Sequence, residues 1–129
     1  MRSQYQKVMI FSGELSTNSF EKNRQLTENL TSDLLTMQVS FNHALGCYKG
    51  TKEVSFIALP KNLDEIDAIM HLVFKLYRQE SILMQDTDGI SSLYYANGQT
   101  EKLGRLVPKM SVEDLEAYTI LNGQIWTIE

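Results

Sequence analysis

Short apolar runs alternate with longer polar stretches along this chain, and their spacing predicts most of its elements. Lys7 to Gly13 carries Val8-Met9-Ile10-Phe11, too short for a helix and closed by glycine, which predicts a buried strand. Ser16, Thr17 and Asn18 then offer N-caps for a polar helix running to about Met37. Its apolar positions Leu26, Leu30, Leu34 and Met37 keep a spacing of three to four, a narrow stripe with one packed face. Val39–Tyr48 and Lys52–Leu59 follow as strands. The second alternates Glu53 and Ser55 with Val54, Phe56 and Ala58, although Ile57 breaks the pattern. The short turn Lys49-Gly50-Thr51 between them predicts a hairpin.

A second helix begins at Asn62, with Glu65 three residues on as its capping-box partner. Asp64, Glu65 and Asp67 suit the positive end of its dipole. Ile66, Ile69, Met70, Val73, Leu76 and Tyr77 form its core face. Ser81–Met84 is again strand-like. Turn signals at Asp88-Gly89, Asn97-Gly98 and Asn122-Gly123 divide the remainder into strands Ser91–Ala96, Thr100–Val107, Ala117–Leu121 and Gln124–Ile128.

This order predicts an α+β fold of the ferredoxin-like βαββαβ type, extended by extra C-terminal antiparallel strands. The helices would cover one sheet face, leaving the other to be covered or wetted. Val8-Met9-Ile10-Phe11, Phe56-Ile57-Ala58-Leu59 and Leu93-Tyr94-Tyr95 are apolar on both sides, which predicts self-association through the second face or an edge. Only Pro60 and Pro108 interrupt the chain, and it has no repeat or linker, so one domain over residues 1–129 is expected.

The composition, 43% hydrophobic and 22% charged, is that of a folded chain. A net charge of −4 and a pI near 5.2 argue against a nucleic-acid binder and suit a cationic ligand. The single cysteine, Cys47, excludes an intrachain disulfide. No apolar run approaches a membrane span, and Val8–Phe11 is too short for a signal-peptide core, so a cytoplasmic protein without a membrane partner is expected.

Standard catalytic motifs are lacking: the chain has no glycine-rich phosphate loop and no nucleophile elbow. With His43 and His71 isolated and one cysteine, no metal site is expected. Asp86-Thr87-Asp88-Gly89 begins like a calcium loop, but Asn97 stands where the twelfth, acidic ligand belongs, and a hairpin turn explains it better. What remains is polar residues at element ends. Gly46-Cys47-Tyr48-Lys49-Gly50 leads to Glu53, and Gln79-Glu80 joins the second helix to a strand. A carboxylate at the negative end of a helix is unfavourable unless a positive group is near. Glu53 and Glu80 are either solvated side chains or a pair that collects a cation.

At these residues the chain resembles the bacteriophage S-adenosylmethionine-degrading enzymes, first called SAM hydrolases and now understood as SAM lyases. The resemblance covers most of the chain from Val8 onward. It is strongest at Gly46-Cys47-Tyr48-Lys49 leading to Glu53, at Gln79-Glu80-Ser81-Ile82-Leu83, at Leu93-Tyr94-Tyr95-Ala96-Asn97-Gly98, and at Thr119-Ile120 through Gly123-Gln124-Ile125-Trp126. Four residues separate Tyr48 from Glu53, where some relatives carry a longer insert. The resemblance implies an α/β sandwich related to PII-type signalling proteins, assembled as a homotrimer with active sites between subunits. It further implies that Tyr48 and Glu53 are catalytic, that Gln79 and Glu80 bind substrate, and that neither metal nor cofactor takes part. The implied reaction converts S-adenosylmethionine to 5′-methylthioadenosine and homoserine lactone. The alternatives are a hydrolase that releases homoserine, a non-catalytic trimeric ligand sensor, and a protein that binds a host enzyme of S-adenosylmethionine metabolism.

Overall fold

The short run predicted as a buried strand, β1 (Val8–Phe11), sits mid-sheet, with Met9 and Phe11 buried on one face and Val8 and Ile10 half-buried on the other. The structure, a computed structural model, describes residues 5–129; the predicted domain also spans 1–4, which lie outside the described residues. β1 leads to helix α1 (Phe20–Thr36), then to the hairpin β2 (Ser40–Tyr48) and β3 (Thr51–Leu59). Helix α2 (Leu63–His71) follows, prolonged by a π-helical turn over Leu72–Leu76, and then β4 (Ser81–Gln85). Five shorter strands complete the chain: β5 (Ser91–Tyr95), β6 (Thr100–Gly104), β7 (Leu106–Lys109), β8 (Ala117–Leu121) and β9 (Gln124–Ile128).

The nine strands of the described residues form one antiparallel sheet in the order β6-β5-β4-β1-β3-β2-β8-β9-β7. Its central four follow the predicted βαββαβ order. Helix caps also follow the predicted chemistry, with one shift. The Asn62 side chain accepts from the Glu65 amide at 2.9 Å, and Glu65 Oε1 accepts in turn from the Lys61 amide. For α1 the cap is Ser19, accepting from the Lys22 amide at 3.1 Å, and not Ser16, Thr17 or Asn18. Leu15 and Asn18 are instead tied to Asn23, whose side chain bonds both polar groups of Leu15 ahead of the helix start.

One core fills the space between the helices and the sheet. Leu30 and Leu34 of α1, Ile66 and Ile69 of α2, and Val73 pack on Met9, Phe11, Phe56, Ala58, Ile82 and Met84. Aromatic rings stack at its centre, with Phe56 centred 5.8 Å from both Phe11 and Phe41. No helix among the described residues is long and apolar enough to cross a membrane.

The predicted simple ferredoxin-like sandwich is corrected at the sheet edges. Thr100–Val107, expected as one strand, breaks at Arg105 into β6 and β7. These two lie at opposite ends of the strand order, yet one residue separates them. The sheet must therefore curl until its ends almost meet, giving a nearly closed, barrel-like wall. At the corner, Arg105 exchanges both backbone hydrogen bonds with Glu129, at 2.8 and 2.9 Å. Gly104 adopts φ +145° there, and a Cβ on it would collide with the Glu129 carbonyl. Of the apolar second face, Ile10, Leu83 and Leu93 line the inside of this curl, while Leu59 is exposed.

Candidate functional site

Register follows the inner face around the wall. Ile10 of β1 is paired with Leu83 of β4, and Leu83 with Leu93 of β5. In the other direction Glu53 of β3 is paired with Gly46 of β2, Gly46 with Thr119 of β8, and Thr119 with Trp126 of β9. Because side chains alternate along a strand, these residues share the face turned away from the helices. They line a cavity of about 1130 Å³. Its wall is apolar at Ile10, Leu83, Leu93 and Trp126 and acidic at Glu53. Gly46 is needed opposite the acidic wall: a Cβ on it would run into the Ser55 hydroxyl. The glycine keeps the space in front of Glu53 and Ser55 open.

At one end of the cavity the segment between β1 and α1 replaces a missing strand. Backbone pairing of β1 with β3 ends at Phe11 opposite Phe56. Past that point side chains continue the ladder. Ser12 Oγ donates to the Val54 carbonyl at 2.9 Å, and Glu14 Oε2 accepts from the Val54 amide at 3.2 Å. The Glu14 amide donates back to Ser12 Oγ at 3.0 Å, and Thr27 Oγ1 of α1 donates to Glu14 Oε2. Both polar groups of Val54 are thereby satisfied where the edge would otherwise be open.

The four residues singled out from the sequence all line this cavity. Glu53 is half-buried, and burial first, then repulsion from Glu14, pushes its carboxyl above the ordinary 4.5. Gln79 follows the π-helical turn and is half-buried; its Nε2 donates to the Glu14 carbonyl at 2.9 Å and to the Tyr77 carbonyl at 3.3 Å. Glu80 is exposed at the rim, and its carbonyl accepts from the Ala96 amide at 3.0 Å. Tyr48 is also at the rim, 58% exposed, with Lys49 Nζ 5.2 Å from its ring centre. Lys49 is shared with Glu116 at 3.4 Å, and its hydrogen bonds to Tyr48 and Glu116 raise its pKa.

Two further residues belong to this arrangement and escape sequence reasoning: Ser12 and Glu14. Their only local signal is a polar pair just after a buried strand. Their part depends on where β1 leaves β3, which no residue pattern reveals. On the far side, Tyr118 of β8 is paired with buried Cys47 of β2, and hydrogen bonding to the thiol raises the phenol pKa. The Asp86–Gly89 segment is the turn expected of it: Gly89 donates to the Asp86 carbonyl at 2.9 Å, and Asp86 is paired with Lys7.

Chemically, acidic side chains outnumber basic ones along the cavity, where Lys49 and Arg78 are the cations. Glu14, Glu53 and Glu80 all line it, and none takes part in the ion pairs found among the described residues, which join Lys7 to Asp86, Lys49 to Glu116 and Lys109 to Glu129. Carboxylates held near an apolar wall attract a cation more strongly than the same groups in bulk water. A model of the S-adenosylmethionine lyase family matches residues 9–129. No curated protein matches the chain.

Proposed function

The chain belongs to the S-adenosylmethionine lyase family, and we propose that it cleaves S-adenosylmethionine to 5′-methylthioadenosine and homoserine lactone in this cavity. One observation carries the reading. Two carboxylates, Glu53 and Glu80, line a partly apolar cavity with no ion-pair partner of their own among the described residues, while Glu14 beside them is held on the Val54 amide. The substrate brings a sulfonium and an ammonium, which supply the missing positive charge.

The reaction asks little bond chemistry of the protein. The α-carboxylate of the substrate attacks its own γ-carbon, forming the lactone C–O bond. The bond from that carbon to sulfur breaks, and its electron pair stays on sulfur as a neutral thioether. No proton moves, and the ammonium is unchanged. A carboxylate and a sulfonium vanish together, so apolar surroundings favour the step; Ile10, Leu83, Leu93 and Trp126 supply such a wall. The protein's task is to hold the methionine moiety folded for attack. Glu53 and Glu80 hold its cationic groups, while Tyr48 and Gln79 orient it and exclude water.

The reading includes a homotrimer. The rim residues Tyr48 and Glu80 are exposed in the single chain, where a neighbouring copy has room to complete the site. In a cell that hosts a phage, such an enzyme depletes S-adenosylmethionine and starves methyl transfer and the restriction that depends on it.

Turnover by purified protein in oxygen-18 water, with products sampled early by mass spectrometry beside a Glu53→Gln variant, tests this. Methylthioadenosine with unlabelled lactone, lost in the variant, is the expected result. Labelled homoserine from the start, without a lactone precursor, would make the protein a hydrolase. Binding without turnover would make it a sensor, and inertness until a host protein is added would make it a binder of that protein. Sedimentation of the same sample tests the trimer.

A further inference from the structure

Glu14 touches both halves of the site. Its side chain accepts from the amide of Val54, the residue next to Glu53 on β3, at 3.2 Å. Its main-chain carbonyl accepts from Gln79 Nε2 at 2.9 Å. Thr27 Oγ1 donates to the same Glu14 carboxylate oxygen from α1, and Ser12 Oγ receives the Glu14 amide, so the residue is fixed at three points besides Gln79. β3 and the turn before β4 are not neighbours in the sheet; β1 lies between them and ends at Phe11. Glu14 spans the gap that β1 leaves.

The Gln79 amide has two ends of opposite character. Its nitrogen is occupied by the Glu14 and Tyr77 carbonyls. Oε1 is therefore the end left for a ligand, and it can only accept. An acceptor beside Glu53 and Glu80 suits a donor-bearing cation such as an ammonium. The reverse orientation would put N–H groups there and repel it.

We propose that Glu14 is a positioning residue: its side chain anchors the strand that carries Glu53, and its carbonyl turns the acceptor end of the Gln79 amide to the substrate. This rests on the reading of the cavity as the S-adenosylmethionine site. Glu14 need not touch the reacting atoms. Small displacements of the groups that hold a substrate in attack geometry slow the reaction even when every one of those groups is still present.

Glu14→Ala removes the acceptor for Val54, while Glu14→Gln keeps one through its Oε1. In protein shown to be folded by its melting transition, Glu14→Ala should lower kcat by roughly 10- to 100-fold, as a misplacement of about 1 Å does. Glu14→Gln should recover most of that loss. A purely structural role would lower the melting temperature of Glu14→Ala and leave kcat per folded molecule alone, which would overturn the proposal. A folded Glu14→Gln as slow as Glu14→Ala would also overturn it, because charge and not the acceptor would then matter. A second readout needs no turnover. In the ligand-free protein, amide exchange at Val54 should quicken in Glu14→Ala by at least roughly 10-fold as that hydrogen bond opens, and the Gln79 side-chain amide resonances should move with it. Glu14→Gln should hold both near the native values. Unchanged exchange and resonances in Glu14→Ala would refute the anchor. Native protein that leaves S-adenosylmethionine intact would refute the proposed reaction, and the exchange experiment would still decide the anchor.

Discussion

The two faces of the central strands are made from alternate residues of the same segments, yet they behave differently. Toward the helices, Met9, Phe11, Phe56, Ala58, Ile82 and Met84 are at most 6% exposed. Toward the cavity, Ile10, Glu53, Leu83 and Leu93 are only half-buried, and a carboxyl stands among the aliphatic groups. One face is closed by packing to the density of an organic crystal, and the other is left partly empty. Packing on the helix side supplies stability, which lets the cavity side keep carboxylates and space that stability alone would not select. Substitutions on the two faces should therefore be read by different instruments: melting for the first, turnover for the second.

The largest effect is expected from Phe56→Ala. Phe56 is fully buried and packs its ring on Phe11, Phe41 and His43. Truncation should cost about 3–5 kcal/mol, measured by denaturant unfolding. The comparison breaks if the loss is near zero, since the helix-covered face would then not be the stabilising one.

Glu53→Gln should do the opposite. Turnover should fall by roughly 10²- to 10³-fold, the range seen when one preorganised electrostatic partner is removed. Thermal stability should rise at pH 7. Burial and Glu14 raise the pKa of Glu53 in the folded state, so the folded protein holds that proton more tightly than the unfolded chain does. The stability linked to Glu53 is complete below its ordinary value of 4.5 and is lost as pH rises through the elevated folded value. Gln cannot ionise, so the variant avoids the loss. Its melting advantage should be plain at pH 7 and fade toward pH 4, which a pair of scans at the two pH values checks. A variant that is less stable at pH 7 would place Glu53 with the structural residues.

The fold was legible wherever local pattern and global position agree. The apolar run of β1, the capping box at Asn62 and the turn at Asn122-Gly123 each carry their instruction in adjacent residues. Thr100–Val107 reads as one strand because nothing in it but Gly104 interrupts an extended pattern, and a single glycine does not announce that its two sides belong to opposite ends of a sheet. The curl follows from that corner alone, so the cavity was invisible too. Glu53 and Glu80 stood out as carboxylates at element ends, the roles of Tyr48, Glu53, Gln79 and Glu80 came from the resemblance, and all four line the cavity. Glu14 was missed because its meaning lies in a hydrogen bond to a residue 40 positions away.

Gly46 sharpens the comparison at the point where both demands meet. It faces the cavity opposite Glu53, and an added Cβ would strike the Ser55 hydroxyl. Gly46→Ala should cost about 1–3 kcal/mol by crowding. Ser55→Ala in the same chain removes the oxygen responsible and should return most of that stability, a coupling measurable in a double-mutant cycle. Activity should not return with it, because the new methyl group still occupies space in front of Glu53. If stability and turnover recovered together, the glycine would serve packing alone.

The smallest expected effect tests whether the cavity side keeps an idle polar group. Ser91 lies on the same face as Leu93, is fully buried, and its hydroxyl has no hydrogen-bond partner among the described residues. Leaving such a group unpaired costs about 1–3 kcal/mol, and removing it also forfeits the packing of one oxygen. Ser91→Ala should thus stabilise the free protein by about 1 kcal/mol or less, with turnover unchanged. A gain in stability makes the hydroxyl a tolerated defect on a face where packing is not the first demand. A loss of stability means that the hydroxyl has a partner in solution, and this end of the sheet would then follow the rule of the helix-covered face, with every buried group satisfied.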